Sequence, residues 1–135
     1  MSEKIPNKEI HDSTPIAEIV AIENGGLKPE TREDLAELVE FPLLEACQEL
    51  FDKNIQTVFS SANTKDVGGF GYITIDFESL SEENKKIALR IGEVGMIHGF
   101  KPKQGIYLNI PITEQSTVGE VKEVAKRLVG QFTQQ

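Results

Sequence analysis

The segment 60–69 gathers polar groups that could hold a small anion. Ser60 and Ser61 supply hydroxyls, Asn63 an amide and Lys65 an ammonium group, beside the flexible backbone of three nearby glycines. Functional groups concentrate on loops that a rigid scaffold positions. We therefore treat Ser60, Ser61, Asn63 and Lys65 as a candidate ligand-binding loop, with a plain solvated loop as the alternative.

His98 is the candidate acid or base, because an imidazole titrates close to neutral pH. A serine hydrolase would need such a base within hydrogen-bond reach of its nucleophile. Ser60 and Ser61 lack the Gly-x-Ser-x-Gly setting of a nucleophile elbow, and no spacing in the sequence places them beside His98. Cys47 lies on an apolar helical stripe, which predicts a core residue.

Metal and cofactor motifs are missing from the sequence. His11, Cys47 and His98 are far apart along the chain, whereas a structural zinc site needs about four closely spaced ligands. Gly69-Phe70-Gly71 precedes a predicted strand, whereas a dinucleotide fingerprint lies between a strand and a helix. We predict no metal site and no cofactor, although a magnesium ion held by one or two carboxylates stays open, since it requires so little sequence.

A polar row on two predicted strands is the candidate interface. Tyrosine is favoured at protein interfaces because it joins apolar area to a polar tip. Alanine at both tyrosines is expected to convert a dimer to a monomer. The interface candidates are Tyr72, Thr74, Asp76, Tyr107 and Asn109.

Charge and composition narrow the function classes. The chain has 135 residues and a net charge of −8, and residues 1–50 carry that whole excess. Because nucleic-acid affinity depends on Lys and Arg neutralising phosphates, nucleic-acid binding is not expected. The sequence has no secretory signal and no apolar run of about 20 residues, which predicts a cytoplasmic protein without a membrane span.

The elements that must position these residues begin with helices. Residues 1–12 are polar and predict a flexible tail, so residues 13–135 form the single predicted domain. Residues 14–23 fit either a helix, which a start at 13–15 and an end at 24–26 favour, or a strand. A second helix starts at Pro29–Thr31, and Pro42 predicts a break at Glu40–Phe41 with a new helix to Asp52.

The hydrophobic period then changes from 3.6 to 2. Residues 72–77 and 106–112 alternate as half-buried strands, and residues 55–60 are a third strand candidate. Ser-x-x-Glu at 79–82 and Thr-x-x-Glu at 117–120 predict two capped helices. Residues 92–100 fit a helix tail, a loop or a short strand.

Together these elements predict an α+β domain. A mainly antiparallel three-stranded sheet in β-β-α-β-α order would carry the N-terminal helices on one face. This order resembles part of a ferredoxin-like domain whose first strand is missing. We expect a non-enzymatic interaction module that forms a homodimer, because exposed sheet edges invite pairing, or that binds another protein. Its contact surface would be either the polar sheet face or the acidic N-terminal helices. The alternative is an anion-binding enzyme or sensor that uses the 60–69 loop and His98.

Overall fold

The chain folds as a mixed α+β structure. A computed structural model describes residues 10–23, 28–99 and 101–135. Within these residues lie four α-helices and one antiparallel four-stranded sheet. In chain order the elements are α1 (Leu35–Leu38), α2 (Phe41–Asp52), β1 (Thr57–Ser61), β2 (Phe70–Asp76), α3 (Glu82–Ile91), β3 (Glu93–Ile97), β4 (Lys103–Pro111) and α4 (Val118–Val129).

The sheet has the order β1-β2-β4-β3, with β2 and β4 at its centre. Ile73 pairs with Leu108 and Ile75 with Ile106, so the apolar side chains of both central strands share one face. These four residues are fully buried in a core that also holds Leu43 and Leu50 of α2 and Val121 and Ala125 of α4. The helices α2, α3 and α4 therefore cover this face, which we call the inner face.

The prediction of three strands was wrong, because residues 93–97 form a fourth. Strand β3 pairs antiparallel with the start of β4, from Glu93 opposite Tyr107 to Ile97 opposite Lys103. The pattern was hard to see because Val94 and Met96 stay half exposed at the sheet edge, so burial and polarity do not alternate. With four strands in the order β1-β2-β4-β3, the structure does not confirm the ferredoxin-like order.

Residues 14–23 are neither the predicted helix nor a strand. A short 3-10 turn covers Ile16–Glu18, and the backbone is extended at Ile19. Beside the local bonds of this turn, two backbone bonds of the segment go to distant residues: the Ile16 N–H donates to the carbonyl of Ser116, and the Ile19 carbonyl accepts from the N–H of Thr64. Tertiary partners thus take the place of some of the local bonds that a continued helix would make. The predicted helix end at 24–26 lies outside the described residues.

Most of the predicted tail, residues 1–9, also lies outside the described residues. Ile10 is buried, and the carbonyl of Asp12 accepts the N–H of Gly119 at the start of α4. The Asp12 carboxylate lies 2.9 Å from the Lys122 ammonium group. Residues 10–12 are therefore held against α4.

The helix starts follow the sequence in part. The helix predicted from Pro29–Thr31 begins as a 3-10 turn at Arg32–Asp34 that Thr31 caps, and α1 starts only at Leu35. Pro42 stands in the first turn of α2, which starts at Phe41, so the break lies at Val39 and Glu40, one residue before its predicted position. Thr117 and Glu120 form the predicted capping box of α4. The cap of α3 is Ser81, whose hydroxyl accepts the N–H of Asn84, and not Ser79, whose hydroxyl donates to a backbone carbonyl. No helix of the described residues is long and apolar enough to cross a membrane.

Candidate functional site

The loop between β1 and β2 is held by its own side chains. A 3-10 turn covers Thr64–Asp66, and the Asn63 side chain caps it by accepting the N–H of Lys65 at 2.8 Å. One carboxylate oxygen of Asp66 accepts the Asn63 N–H at 2.9 Å and the Ser61 hydroxyl at 2.6 Å. Ser61 and the Asn63 backbone, two of the groups that suggested an anion site, are thus bonded to a carboxylate inside the loop.

A second carboxylate, that of Glu40, lies beneath the loop and was not anticipated. Glu40 is 4% exposed, and one of its oxygens accepts the N–H of Ala62 at 2.8 Å and the Asn63 amide at 3.1 Å. The other oxygen accepts the N–H of Ile22 at 2.8 Å. Glu40 therefore ties the N-terminal segment to the 62–69 loop, and a small anion placed there would meet two negative charges.

The Lys65 side chain does not face into the loop. Its ammonium group is 69% exposed and lies 3.4 Å from the carboxylate of Glu23. Such an exposed ion pair contributes little to the free energy of unfolding. Of the four loop candidates, Ser61 and Asn63 contact one another, whereas Lys65 points away from them to Glu23.

Ser60 faces the helix layer and not the loop. Its hydroxyl hydrogen-bonds to the thiol of Cys47, which is fully buried on α2. Burial raises the pKa of Cys47 to about 12, and the Ser60 hydrogen bond opposes that rise only in part. The thiol therefore stays protonated at neutral pH and acts as a small core residue, as the sequence predicted.

His98 and the 62–69 loop lie at opposite ends of the sheet. The loop leads into Phe70, which pairs with Pro111 at the end of β4, whereas His98 follows Ile97, which pairs with Lys103 at the start of β4. The length of β4 from Lys103 to Pro111 separates the two ends by about 26 Å. His98 is exposed and cannot reach Ser60, Ser61, Asn63 or Lys65, so the geometry gives the enzyme alternative no support.

The second face of the sheet, which we call the outer face, carries the predicted interface row. Tyr72 pairs with Asn109, Thr74 with Tyr107, and Asp76 with Gly105, so all five candidates share it. Among the described residues, α2, α3 and α4 pack on the inner face instead. The outer face is approached at its β1 side, where α1, Val39, Ile22, Lys28 and Pro29 line a cavity together with Tyr72. This leaves most of the outer face without a covering layer.

Aromatic side chains form the middle of the outer face. The rings of Tyr72 and Tyr107 lie 6.1 Å apart and tilted, a favourable geometry for an aromatic pair. The Tyr107 ring lies across Gly95, where a Cβ atom would come within 2.8 Å of it, and its hydroxyl donates to the carbonyl of Met96. Phe70 continues the row with 59% of its surface exposed. The result is a flat surface in which side chains lie along the sheet.

The remaining candidates divide into buried and exposed groups. Thr74 is fully buried, and its hydroxyl accepts the N–H of Phe59 and donates to the Phe59 carbonyl, so it cannot contact a partner. Asp76 is paired with Lys103 at 2.9 Å, which neutralises both charges on the face. Burial, followed by the charge of Asp66, raises the pKa of Tyr72, so its phenol stays neutral.

Neither a metal centre nor a known relative identifies the chain. Among the residues that the structure describes, no group of three or more His, Cys, Asp or Glu side chains is placed to hold a metal ion. In comparisons with known proteins, no family model, curated protein or solved structure matches this chain.

Proposed function

We propose that this chain is a small non-catalytic interaction module that self-associates through the outer face of its sheet. The observation that carries the proposal is a face that the described residues leave largely open: α2, α3 and α4 all pack on the inner face, while Tyr72, Tyr107 and Phe70 remain partly or largely exposed on the outer one. A sheet face that exposes aromatic side chains is stabilised by a second layer.

The composition of the face favours another copy as that layer. The chain carries a net charge of −8, which repels a second copy over most of its surface. The outer face, however, presents the neutral Asp76–Lys103 pair and, as its other charged side chain among the described strands, Glu93. Interface centres are depleted of charge and enriched in tyrosine and phenylalanine. A two-fold contact here would place aromatic rings against aromatic rings.

The catalytic alternative has less support. A reaction centre requires a nucleophile or base beside a group that orients it. Asn63 is bonded to Glu40 and Ser61 to Asp66, whereas Ser60 is bonded to Cys47 and Lys65 lies beside Glu23. His98 lies at the far end of the sheet. The outer face therefore favours a binding role over catalysis. As part of the same proposal, we place the module in the cytoplasm.

Oligomeric mass tests the proposal. Tyr107 also supports β3 through Met96, so the cleaner face variant is Tyr72→Ala with Asn109→Glu, a cross-strand pair that does not touch β3. The matched control is Leu89→Ala with Gln131→Glu, which removes the same kind of exposed apolar group and adds the same charge outside the sheet. Far-UV circular dichroism should show that both variants fold.

We expect the wild-type and the control to sediment as multiples of the 15.0 kDa chain at about 100 µM, and the face variant to sediment as a smaller species. A face variant with the same mass as the wild-type would overturn the proposed surface. A wild-type chain that stays at 15.0 kDa throughout would overturn self-association itself.

A further inference from the structure

The two edges of the sheet are protected to different degrees. The pairing of β1 with β2 shifts register between Thr57 and Ser60, and this edge borders a cavity of about 140 Å³ whose far wall includes Leu35 and Val39. A bulge and a flanking segment are devices that keep an edge strand from pairing. Among the residues that the structure describes, the β3 edge has neither: its five residues pair with β4 without a shift and include no proline and no lysine.

The β3 edge also exposes apolar side chains. Val94 and Met96 are each 49% exposed. They lie two residues apart and therefore on one face, and Val94 is opposite the buried Ile106, so that face is the inner one. The apolar layer between sheet and helices thus continues to the edge and ends there in contact with solvent. A regular edge with an apolar row is a template for another strand.

We propose that the β3 strands of two copies pair antiparallel about a two-fold axis at Gly95. In this register Val94 lies opposite the partner's Met96, and the same contact recurs on the other side of the axis. Each half-exposed apolar side chain then covers the other. The pairing extends the sheet from four strands to eight without changing either copy.

Local charge and hydrogen bonding agree with this register. Antiparallel order brings Glu93, at the start of β3, beside the end of the partner's β3, which leads into the turn that carries Lys101. One opposite charge therefore follows the partner strand on each side of the axis, since Lys103 is already paired with Asp76. The Tyr107 hydroxyl donates to the Met96 carbonyl, but a carbonyl oxygen has two lone pairs and can accept a backbone N–H as well.

The edge contact adds to the proposed function, and the second contact of the assembly, between two outer faces, rests on that function. A two-fold axis normal to the sheet keeps both outer faces on the same side, so the two faces become one. A single face measures about 20 Å by 20 Å, or roughly 400 Å², and the doubled face reaches the about 800 Å² per side of a standard interface.

The two contacts together define a closed assembly. The edge axis is normal to the sheet, whereas the axis that relates two stacked outer faces lies in their plane. Two perpendicular two-fold axes that intersect generate a tetramer with D2 symmetry. The assembly would be two eight-stranded sheets that face each other through their tyrosines, with the helices outside.

Two edge variants test the register and not merely the polarity of β3. Val94→Lys with Met96→Lys places introduced lysines opposite one another across the axis, and directly opposed like charges destabilise a strand pair. Val94→Glu with Met96→Lys is equally polar but places opposite charges in the same positions. Sedimentation equilibrium of both, alone and combined with the Tyr72→Ala/Asn109→Glu face variant, gives the subunit number.

We expect about 60 kDa for the wild-type and for the opposite-charge edge variant, about 30 kDa for the lysine edge variant and for the face variant, and 15.0 kDa for the lysine edge and face variants combined. If both edge variants keep the wild-type mass, the β3 pairing is wrong while the face contact can still stand. If both edge variants lose mass equally, the register is wrong. If only the face variant has no effect, the proposed function fails and the edge contact survives.

Discussion

Replacing Glu40 with alanine should destabilise the fold more than any other surface-proximal acidic substitution. The Glu40 carboxylate accepts three N–H donors, from Ile22, Ala62 and the Asn63 side chain, and it is 4% exposed. A hydrogen bond to a charged group contributes about 1.5–3 kcal/mol, and a buried donor left without a partner costs about 1–3 kcal/mol. Because these terms overlap, we expect Glu40→Ala to lower the free energy of unfolding by about 4 kcal/mol.

Replacing Glu40 with glutamine should lower the free energy of unfolding about half as much as replacing it with alanine. Its single amide oxygen can replace the carboxylate oxygen that serves Ala62 and Asn63, but its NH₂ group then faces the Ile22 N–H that the other oxygen served. We expect Glu40→Gln to lower the free energy of unfolding by about 2 kcal/mol. The intermediate value would separate the loss of one acceptor from the loss of the whole side chain.

Urea unfolding followed by circular dichroism measures both changes. With a slope of about 2 kcal/mol per molar urea, the alanine variant should shift the midpoint by about 2 M. All chains should be compared at one protein concentration, because self-association adds to the measured stability. The control is Glu37→Ala, an exposed acidic residue in α1. A Glu40→Ala midpoint close to that of Glu37→Ala would refute the role of this carboxylate.

Two further predictions concern packing and pH. Gly71→Ala should lower the free energy of unfolding by about 1–3 kcal/mol, because its Cβ would lie 2.6 Å from the Ser61 carbonyl oxygen, a backbone atom that cannot move aside. The control is Gly99→Ala, whose Cβ would have no atom within 4 Å and should leave the thermal midpoint unchanged. Equal midpoints for the two variants would contradict the packing around Gly71. Backbone N–H groups, that of Thr31 first, lower the pKa of Asp34, and the hydrogen bond from Lys122 lowers that of Glu45. Both carboxylates therefore stabilise the fold above pH 4.5, and their contribution should be lost as the pH falls through their lowered folded pKa values. The double variant Asp34→Asn with Glu45→Gln should lose less stability than the wild-type over this pH range. Urea unfolding at several pH values measures the difference.

The elements that the sequence predicts well are those whose signal is local. Alternation in residues 72–77 and 106–112 fixes the inner face of β2 and β4, and the Thr117 capping box fixes the start of α4. The Ser-x-x-Glu pattern at 79–82 predicts Ser79 as the α3 cap, whereas in the structure the Ser81 hydroxyl accepts the Asn84 N–H and Ser79 donates to a carbonyl. Local sequence patterns therefore predict whether a segment is a helix or a strand better than they predict the residue at which it begins.

The elements that it predicts poorly depend on distant partners. Residues 16–19 bond to Ser116 and Thr64, which no periodicity in that segment reveals. Strand β3 lies at an edge and keeps Val94 exposed, so it lacks the alternation of a half-buried strand.

The candidate site shows the same division. The tyrosine face followed directly from strand alternation. The burial of Thr74 did not, because it depends on the bulge in β1 that brings Phe59 to its hydroxyl. Glu40 was noted only as the residue before a helix break. Its role follows from an extended backbone at the start of α2 that leaves its carboxylate free to reach the 62–69 loop.

Sedimentation equilibrium of the unmodified chain tests the central claim most directly. A module that self-associates through its uncovered sheet face should show an average mass that rises above 15.0 kDa as its concentration increases from about 1 µM to about 100 µM. A single 15.0 kDa species over the whole range would contradict the account, because the outer face and the β3 edge would then both be stable in water without a partner copy.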